Sequence, residues 1–213
     1  MSSLNFAVNF FIALFALIDP IGNVPLFAAA TSGVKNKDSR LIAVFVSLFV
    51  LGFLTFFYFT GLGLLAFFGI SLPAFRIAGG ILLLLLGLEM AREDFTRTLA
   101  GDPGQPVGEG AAHARRRFEQ MIVPFAMPLL IGPGAISTVI IYAGEAKRFG
   151  MAGAAMGLGV IAAVCSIVLL AFWATPIISR ALGKIGMTIV VRVLGLILCA
   201  LAVQFINAVK GLG

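Results

Sequence analysis

The sequence predicts an all-α integral membrane protein of six transmembrane helices, arranged as two inverted three-helix repeats, with spans 1 and 4 broken near the midplane. Three observations predict it. Of its 213 residues, 61% are hydrophobic and 11% charged, and the mean hydropathy is +1.11, whereas a soluble domain carries about 25% charged residues. The apolar residues gather into six runs, each matching the roughly 20 residues a helix needs to cross about 30 Å of hydrocarbon. The first and fourth runs are interrupted by proline and glycine at matched positions.

The first run, residues 4–30, holds Ile18-Asp19-Pro20-Ile21-Gly22-Asn23-Val24-Pro25. A carboxylate at the bilayer centre costs roughly 2.5–3.5 kcal/mol on insertion scales, so Asp19 is expected to face a polar cavity or a partner. The prolines open the helix there, which lipid tolerates only where backbone lines a cavity or is buried in protein. Ala28-Ala29-Ala30 imitates a signal-peptide cleavage site, but no basic region precedes the apolar stretch, and the segment reads as a retained span.

The second and third runs, 41–67 and 74–91, are separated by no charge, so Gly69 and Pro73 place the boundary. The connection 92–117 is polar, with Asp102-Pro103-Gly104-Gln105-Pro106, and divides a first repeat (1–91) from a second (118–213). His113, the only histidine, sits in this linker beside Arg115 and is no candidate for an intramembrane proton relay. The fourth, fifth and sixth runs cover 118–143, 151–175 and 186–209.

The net charge of +6 does not mark a nucleic-acid binder, because the 15 Lys and Arg lie mostly in short connections and not along one stripe. Lys35, Lys37, Arg40, Arg92, Arg97, Arg115, Arg116, Arg117, Arg180 and Lys184 fall on one side of the predicted topology, and only Lys147, Arg148 and Lys210 on the other. The positive-inside rule then puts both termini away from the cytoplasm. Cys165 and Cys199 lie inside apolar runs, with no metal or redox spacing, and read as small buried hydrophobes.

Ala13, Leu17, Ile18 and Pro20 fall opposite Ala126, Leu130, Ile131 and Pro133, an offset of 113. Arg76, Gly79, Ile81, Leu82 and Leu85 fall opposite Arg192, Gly195, Ile197, Leu198 and Leu201, an offset of 116. Three spans per half make the second half enter the membrane inverted. Inverted repeats with helices broken at corresponding positions point to a secondary transporter whose site lies where the halves meet.

The expected binding residues are therefore Asp19, Pro20, Gly22 and Asn23 at the first break and Gly132, Pro133, Gly134, Ser137 and Thr138 at the second. A half-helix that starts at a break offers free N–H groups and a positive dipole end to a carboxylate, while the preceding half offers carbonyls to a cation. Such a pair suits a zwitterion. Asp19 has three open roles: receiving a substrate ammonium, binding a coupling cation or cycling a proton; its structural alternative is an internal salt bridge. Asn23, Ser137 and Thr138 bring polar atoms to the same depth, unless the two hydroxyls bond to their own helix carbonyls or pack between helices. Arg76 and Arg192 either snorkel to the interface or gate the two ends by pairing with carbonyls at a break. Gly61, Gly63, Gly79, Gly80, Gly153, Gly157 and Gly159 read as close helix crossings, and Glu89 as interfacial.

In Asp19-Pro20-Ile21-Gly22-Asn23-Val24-Pro25 and Pro128-Leu129-Leu130-Ile131-Gly132-Pro133-Gly134-Ala135-Ile136, the chain resembles the MarC family of bacterial inner-membrane proteins. The likeness runs over nearly the whole sequence. It implies a six-helix protein of the bacterial inner membrane classed with neutral amino-acid transporters, and it supplies no ligand set to carry over.

The expected function is transport of a small neutral amino acid or similar metabolite, with no cofactor, no bound metal and coupling by Na+ or H+. The expected partners are the small-molecule substrate and the lipid bilayer, with no nucleic acid; a homo-oligomer is compatible with this reading. Two alternatives are an exporter of another small solute and a regulatory membrane protein that moves nothing. A membrane enzyme is not expected, because the spans lack histidine, a Gly-x-Ser-x-Gly nucleophile and an acid-rich metal cluster.

Overall fold

A computed structural model describes residues 3–31, 33–92 and 130–210 of the chain. The linker 92–117, apart from Arg92, lies outside the described residues, and so do His113 and the first part of the fourth run. Everything regular among the described residues is helical. In chain order the elements are α1 (Ser3–Ile18), α2 (Val24–Ala30), α3 (Asn36–Phe67), α4 (Leu72–Ala91), α5 (Pro133–Ala146), α6 (Gly150–Trp173) and α7 (Thr175–Lys210).

Each boundary has a local cause. Asp19 stands at φ 42, a left-handed value that ends α1, and Asn23 precedes α2, whose second residue is Pro25. α3 ends at Gly69 with φ 64, where Ile70 N–H reaches back to Leu65 O at 2.8 Å in a Schellman-type closure. Ser71 then caps α4, its Oγ accepting from Ala74 N–H at 3.3 Å, with Pro73 in the first turn. The sequence therefore placed the boundary between the second and third runs correctly. Gly150 (φ 59) and Gly183 (φ 62, ψ −176) turn the chain before α6 and kink α7.

Four stretches are long and apolar enough to cross a membrane: Asn36–Phe67, Leu72–Ala91, Pro133–Trp173 and Ile185–Asn207. The third of these is a hairpin and not a single rod. Phe6 lies against Tyr142 and Phe149, with ring centroids 5.8 and 5.6 Å away, and Phe27 stacks on Phe172 at 4.3 Å. Leu17 meets α5 at Gly134. α5 thus runs against α1, the chain turns at Lys147–Gly150, and α6 runs back alongside α1 and α2. These two together cover the length of α6, whose 24 residues span about 36 Å at 1.5 Å per residue.

α3 is antiparallel to α6. Tyr58 Oη donates to Gly153 O at 3.2 Å near one end, and Trp173 Nε1 donates to Arg40 O at 3.2 Å near the other. α4 and α7 form the closest pair. A side chain at Gly80 would meet Ala202 O at 2.9 Å, and one at Gly87 would meet Gly195 O and Cys199 Sγ, each at 2.7 Å. In lipid, where apolar side chains gain little by leaving the solvent, such backbone approach provides the packing.

The predicted crossings hold at Gly61 against Ile140, Gly79 against Pro133, Gly80 against α7, Gly153 against Ala146 and Gly157 against Tyr58. Gly63 and Gly159 are different: a Cβ at either would meet nothing within 4 Å among the described residues. Large apolar side chains stay exposed around the bundle, among them Ile12 at 59%, Leu82 at 58% and Leu196 at 64%, the pattern of a surface solvated by lipid.

Candidate functional site

The first break is held together by its own polar groups. Asp19 N–H still donates to Phe15 O at 2.9 Å, but the left-handed turn at Asp19 takes the chain off the helical path. Aspartate tolerates this conformation better than most residues. Its Oδ1 then accepts the Gly22 N–H at 3.1 Å. A Cβ at Gly22 would collide with the Asp19 carboxylate and come within 2.5 Å of Leu194 Cδ2, so only glycine permits this approach. Asn23 Nδ2 donates to Ile18 O at 2.7 Å and to Asp19 O at 3.2 Å, capping the end of α1. The amide hydrogens that the sequence assigned to a solute are thus engaged with the chain itself.

α2 has only 7 residues, and the N–H just before it is taken by Asp19, so the positive helix end expected there has little to offer a ligand. Pro20 is buried, and Asp19 is half-buried. Asp19 and Asn23, with Ala16 and Leu17 of α1, Met90 of α4 and Leu194, Ile197, Leu198 and Leu201 of α7, enclose a cavity of about 30 Å³. One water needs about 10–15 Å³ by the same measure, so the space has room for about two waters.

The second break is adjacent. Gly132 precedes α5 with ψ 161, Pro133 opens the helix, and Ile136 N–H closes the first turn on Gly132 O at 3.1 Å. Gly134 is the contact point: a Cβ there would lie 3.2 Å from Leu17 Cδ2 and 3.1 Å from Phe205 Cζ. Pro133 packs against Gly79 of α4. Ser137 and Thr138 are buried one turn further on. Thr31, Thr60 and Ser166 turn their hydroxyls onto the carbonyl four residues back, at 2.7–2.8 Å. Ser137 Oγ, in a residue only 1% exposed, has no partner among the described residues. Its structural alternative, back-bonding, is therefore not adopted.

The structure brings the two breaks together through Leu17 and Gly134, but the cavity belongs to the first break, and none of Gly132, Pro133, Gly134, Ser137 or Thr138 lines it. Its apolar wall, Met90, Leu194, Ile197, Leu198 and Leu201, was invisible in the sequence because leucines in a leucine-rich helix carry no local mark. The offset of 116 gave the only available signal, since it aligns Ile197, Leu198 and Leu201 with Ile81, Leu82 and Leu85. Arg76 is half-buried with its Nε lacking a partner among the described residues, Arg192 is exposed, and neither lines the cavity. Glu89 is exposed near the end of α4, as an interfacial residue would be.

A second cavity of about 250 Å³ opens near the α5–α6 turn, between Tyr58, Phe59, Leu62 and Gly63 of α3 and Ala143, Ala146, Lys147, Gly150 and Ala154. Gly63, read from the sequence as a helix crossing, instead lines this opening.

No solved structure matches the chain. The chain is 34% identical over 209 residues to a UPF0056 membrane protein of Aquifex aeolicus, covering 93% of this chain and 89% of that protein. To the UPF0056 membrane protein YvbG of Bacillus subtilis it is 34% identical over 215 residues, covering 98% and 96%. To a UPF0056 membrane protein of Methanocaldococcus jannaschii it is 33% identical over 210 residues, covering 98% of each. The model of the MarC family integral membrane protein matches residues 4–212. By its two broken-helix motifs and by this full-length match, the chain belongs to the MarC family of integral membrane proteins.

Proposed function

We propose that this membrane protein is a secondary transporter of small neutral amino acids or similar small metabolites, which bind between the two broken helices during alternating access. The observation that carries the reading is the meeting of the breaks inside the bundle, Leu17 against Gly134, beside a cavity walled by Asp19 and Asn23. Interrupted helices at a repeat interface supply backbone groups to a solute, and here the end of α1 would offer carbonyls and the start of α5 N–H groups, the two polarities a zwitterion needs.

Several features support six spans in two inverted repeats. The first break abuts α7 at Leu194, next to Gly195, and the second abuts α4 at Gly79, the repeat equivalent of Gly195. The α4–α7 crossing brings Cys199 Sγ within 3.9 Å of Leu84 O, and Leu84 is equivalent to Ala200 in the same register. α1 and α2 parallel the full length of α6, as a broken span would. The basic residues of the connections favour termini outside the cytoplasm of a bacterial inner membrane.

At about 30 Å³ the cavity in this conformer is smaller than any amino acid. Binding therefore requires the breaks to separate, and the contact of Leu17 with Gly134 is where they part. The test is counterflow in proteoliposomes across a panel of labelled neutral amino acids. Wild-type protein is expected to exchange at least one of them and Asp19→Asn to lose that exchange. Absence of counterflow for every solute, with the protein folded and correctly inserted, sinks the proposal.

A further inference from the structure

We infer that the first break is a binding site for a largely dehydrated monovalent metal cation of sodium size, held by the Asp19 carboxylate and the main-chain carbonyls of Ala16 and Leu17. This rests on the transporter reading and deepens it, since it gives Asp19 to the coupling ion and leaves the substrate to the seam between the breaks.

The oxygens come first. Pro20 has no N–H, so the Ala16 carbonyl lacks its donor four residues on. The left-handed turn at Asp19 likewise takes Ile21 N–H out of reach of Leu17. Among the described residues no backbone hydrogen bond reaches either carbonyl, whereas Phe15 O, Ile18 O and Asp19 O are all engaged. Ala16 and Leu17 both line the cavity with Asp19. The carboxylate has one hydrogen bond, from Gly22, and no ion pair reaches it among the described residues. Asn23 has turned its Nδ2 away to two carbonyls, which leaves Oδ1 as its remaining polar atom.

The surroundings fix the charge and size of the occupant. The rest of the wall is Met90, Leu194, Ile197, Leu198 and Leu201, with no Lys or Arg among the described residues. A carboxylate facing such a wall is unfavourable without a counter-charge. The negative end of α1 points at the same spot and favours a cation further. A donor set of oxygen alone suits a hard cation, and a single carboxylate balances one positive charge. A proton would neutralise the carboxylate and leave at least one of the two carbonyls without a donor, whereas a metal cation answers all three oxygens. The volume of about 30 Å³ admits one such ion with about one water and excludes a substrate ammonium carried on an amino acid.

The experiment uses the full chain in lipid nanodiscs with no solute present. Thermal unfolding is followed in sodium chloride and in choline chloride at equal ionic strength and pH, together with equilibrium binding of radioactive sodium. Sodium is expected to raise the unfolding temperature saturably, with one ion bound per chain. Asp19→Asn, which keeps an oxygen for the Gly22 N–H, is expected to stay folded and lose both effects. The site is overturned by an absence of saturable sodium dependence in the wild type, or by an equal response in Asp19→Asn. It is also overturned if lowering the pH alone reproduces the stabilisation and sodium adds nothing. Sodium binding without counterflow of any solute would retain the site and remove the transport reading; counterflow indifferent to sodium would do the opposite.

Discussion

At the scale of single residues, Gly22 and Asp19 act as one unit. The carboxylate occupies the space that a Cβ on Gly22 would take, and Leu194 closes the other side. Gly22→Ala is therefore expected to push the carboxylate off its hydrogen bond and to destabilise the protein by about 1–3 kcal/mol, the usual effect of overpacking. Thermal unfolding of the purified variant checks it, and an unchanged midpoint would count against the geometry. The left-handed turn at Asp19 allows a sharper comparison. Asp19→Asn retains both the tolerance for that turn and an acceptor for Gly22, so its stability is expected to lie near wild type. Asp19→Leu loses both, and a branched side chain in the left-handed region costs roughly 1–2 kcal/mol. If Asp19→Asn unfolds as early as Asp19→Leu, the charge itself holds the break together.

Among the elements, the α4–α7 pair depends on glycines that a pattern search passes over. Gly87→Ala or Gly195→Ala would set a methyl against backbone atoms less than 3 Å away, and each is expected to lower stability by about 1–3 kcal/mol. Gly159→Ala meets nothing and is expected to be neutral or slightly stabilising, as glycine in a helix interior is worse than alanine by roughly 0.5–1 kcal/mol. Parallel thermal unfolding of the three variants decides this, and equal losses would refute the crossing. The contrast also marks what was legible in the sequence. The end of α1 and the boundary between α3 and α4 were readable because Asp19-Pro20, and Gly69 with Pro73, are local signals that interrupt an apolar run. The matching of Pro20 with Pro133 pointed to the second break as well. Which glycines touch a neighbour was not readable, since Gly63 and Gly157 sit in similar surroundings in sequence and only the latter faces Tyr58. The cavity wall was hidden for the same reason: lipid-facing Leu196 and cavity-lining Leu198 differ only in direction around α7.

For the whole molecule, the contacts sort the connections onto two faces. The start of α1 and the Lys147–Gly150 turn share one face, while Arg40 and Trp173 share the other. With the positive-inside rule this predicts Arg148 outside and Arg180 inside. Arg148→Cys is expected to react with an impermeant thiol reagent added to intact cells, and Arg180→Cys only after the membrane is opened. Cys165 is buried and Cys199 half-buried, so the native thiols should contribute little background. Labelling of Arg180→Cys in intact cells would reverse the proposed orientation.

The greasy collar that Leu194, Ile197, Leu198 and Leu201 place over the Asp19 cavity has an electrical consequence. A cell holds a voltage across its membrane, and any continuous file of water through this bundle would short it. With the collar shut, the protein should act as an insulator: planar bilayers containing it would pass no measurable current at rest. Shaving Leu198 to alanine is the change to try for a leak.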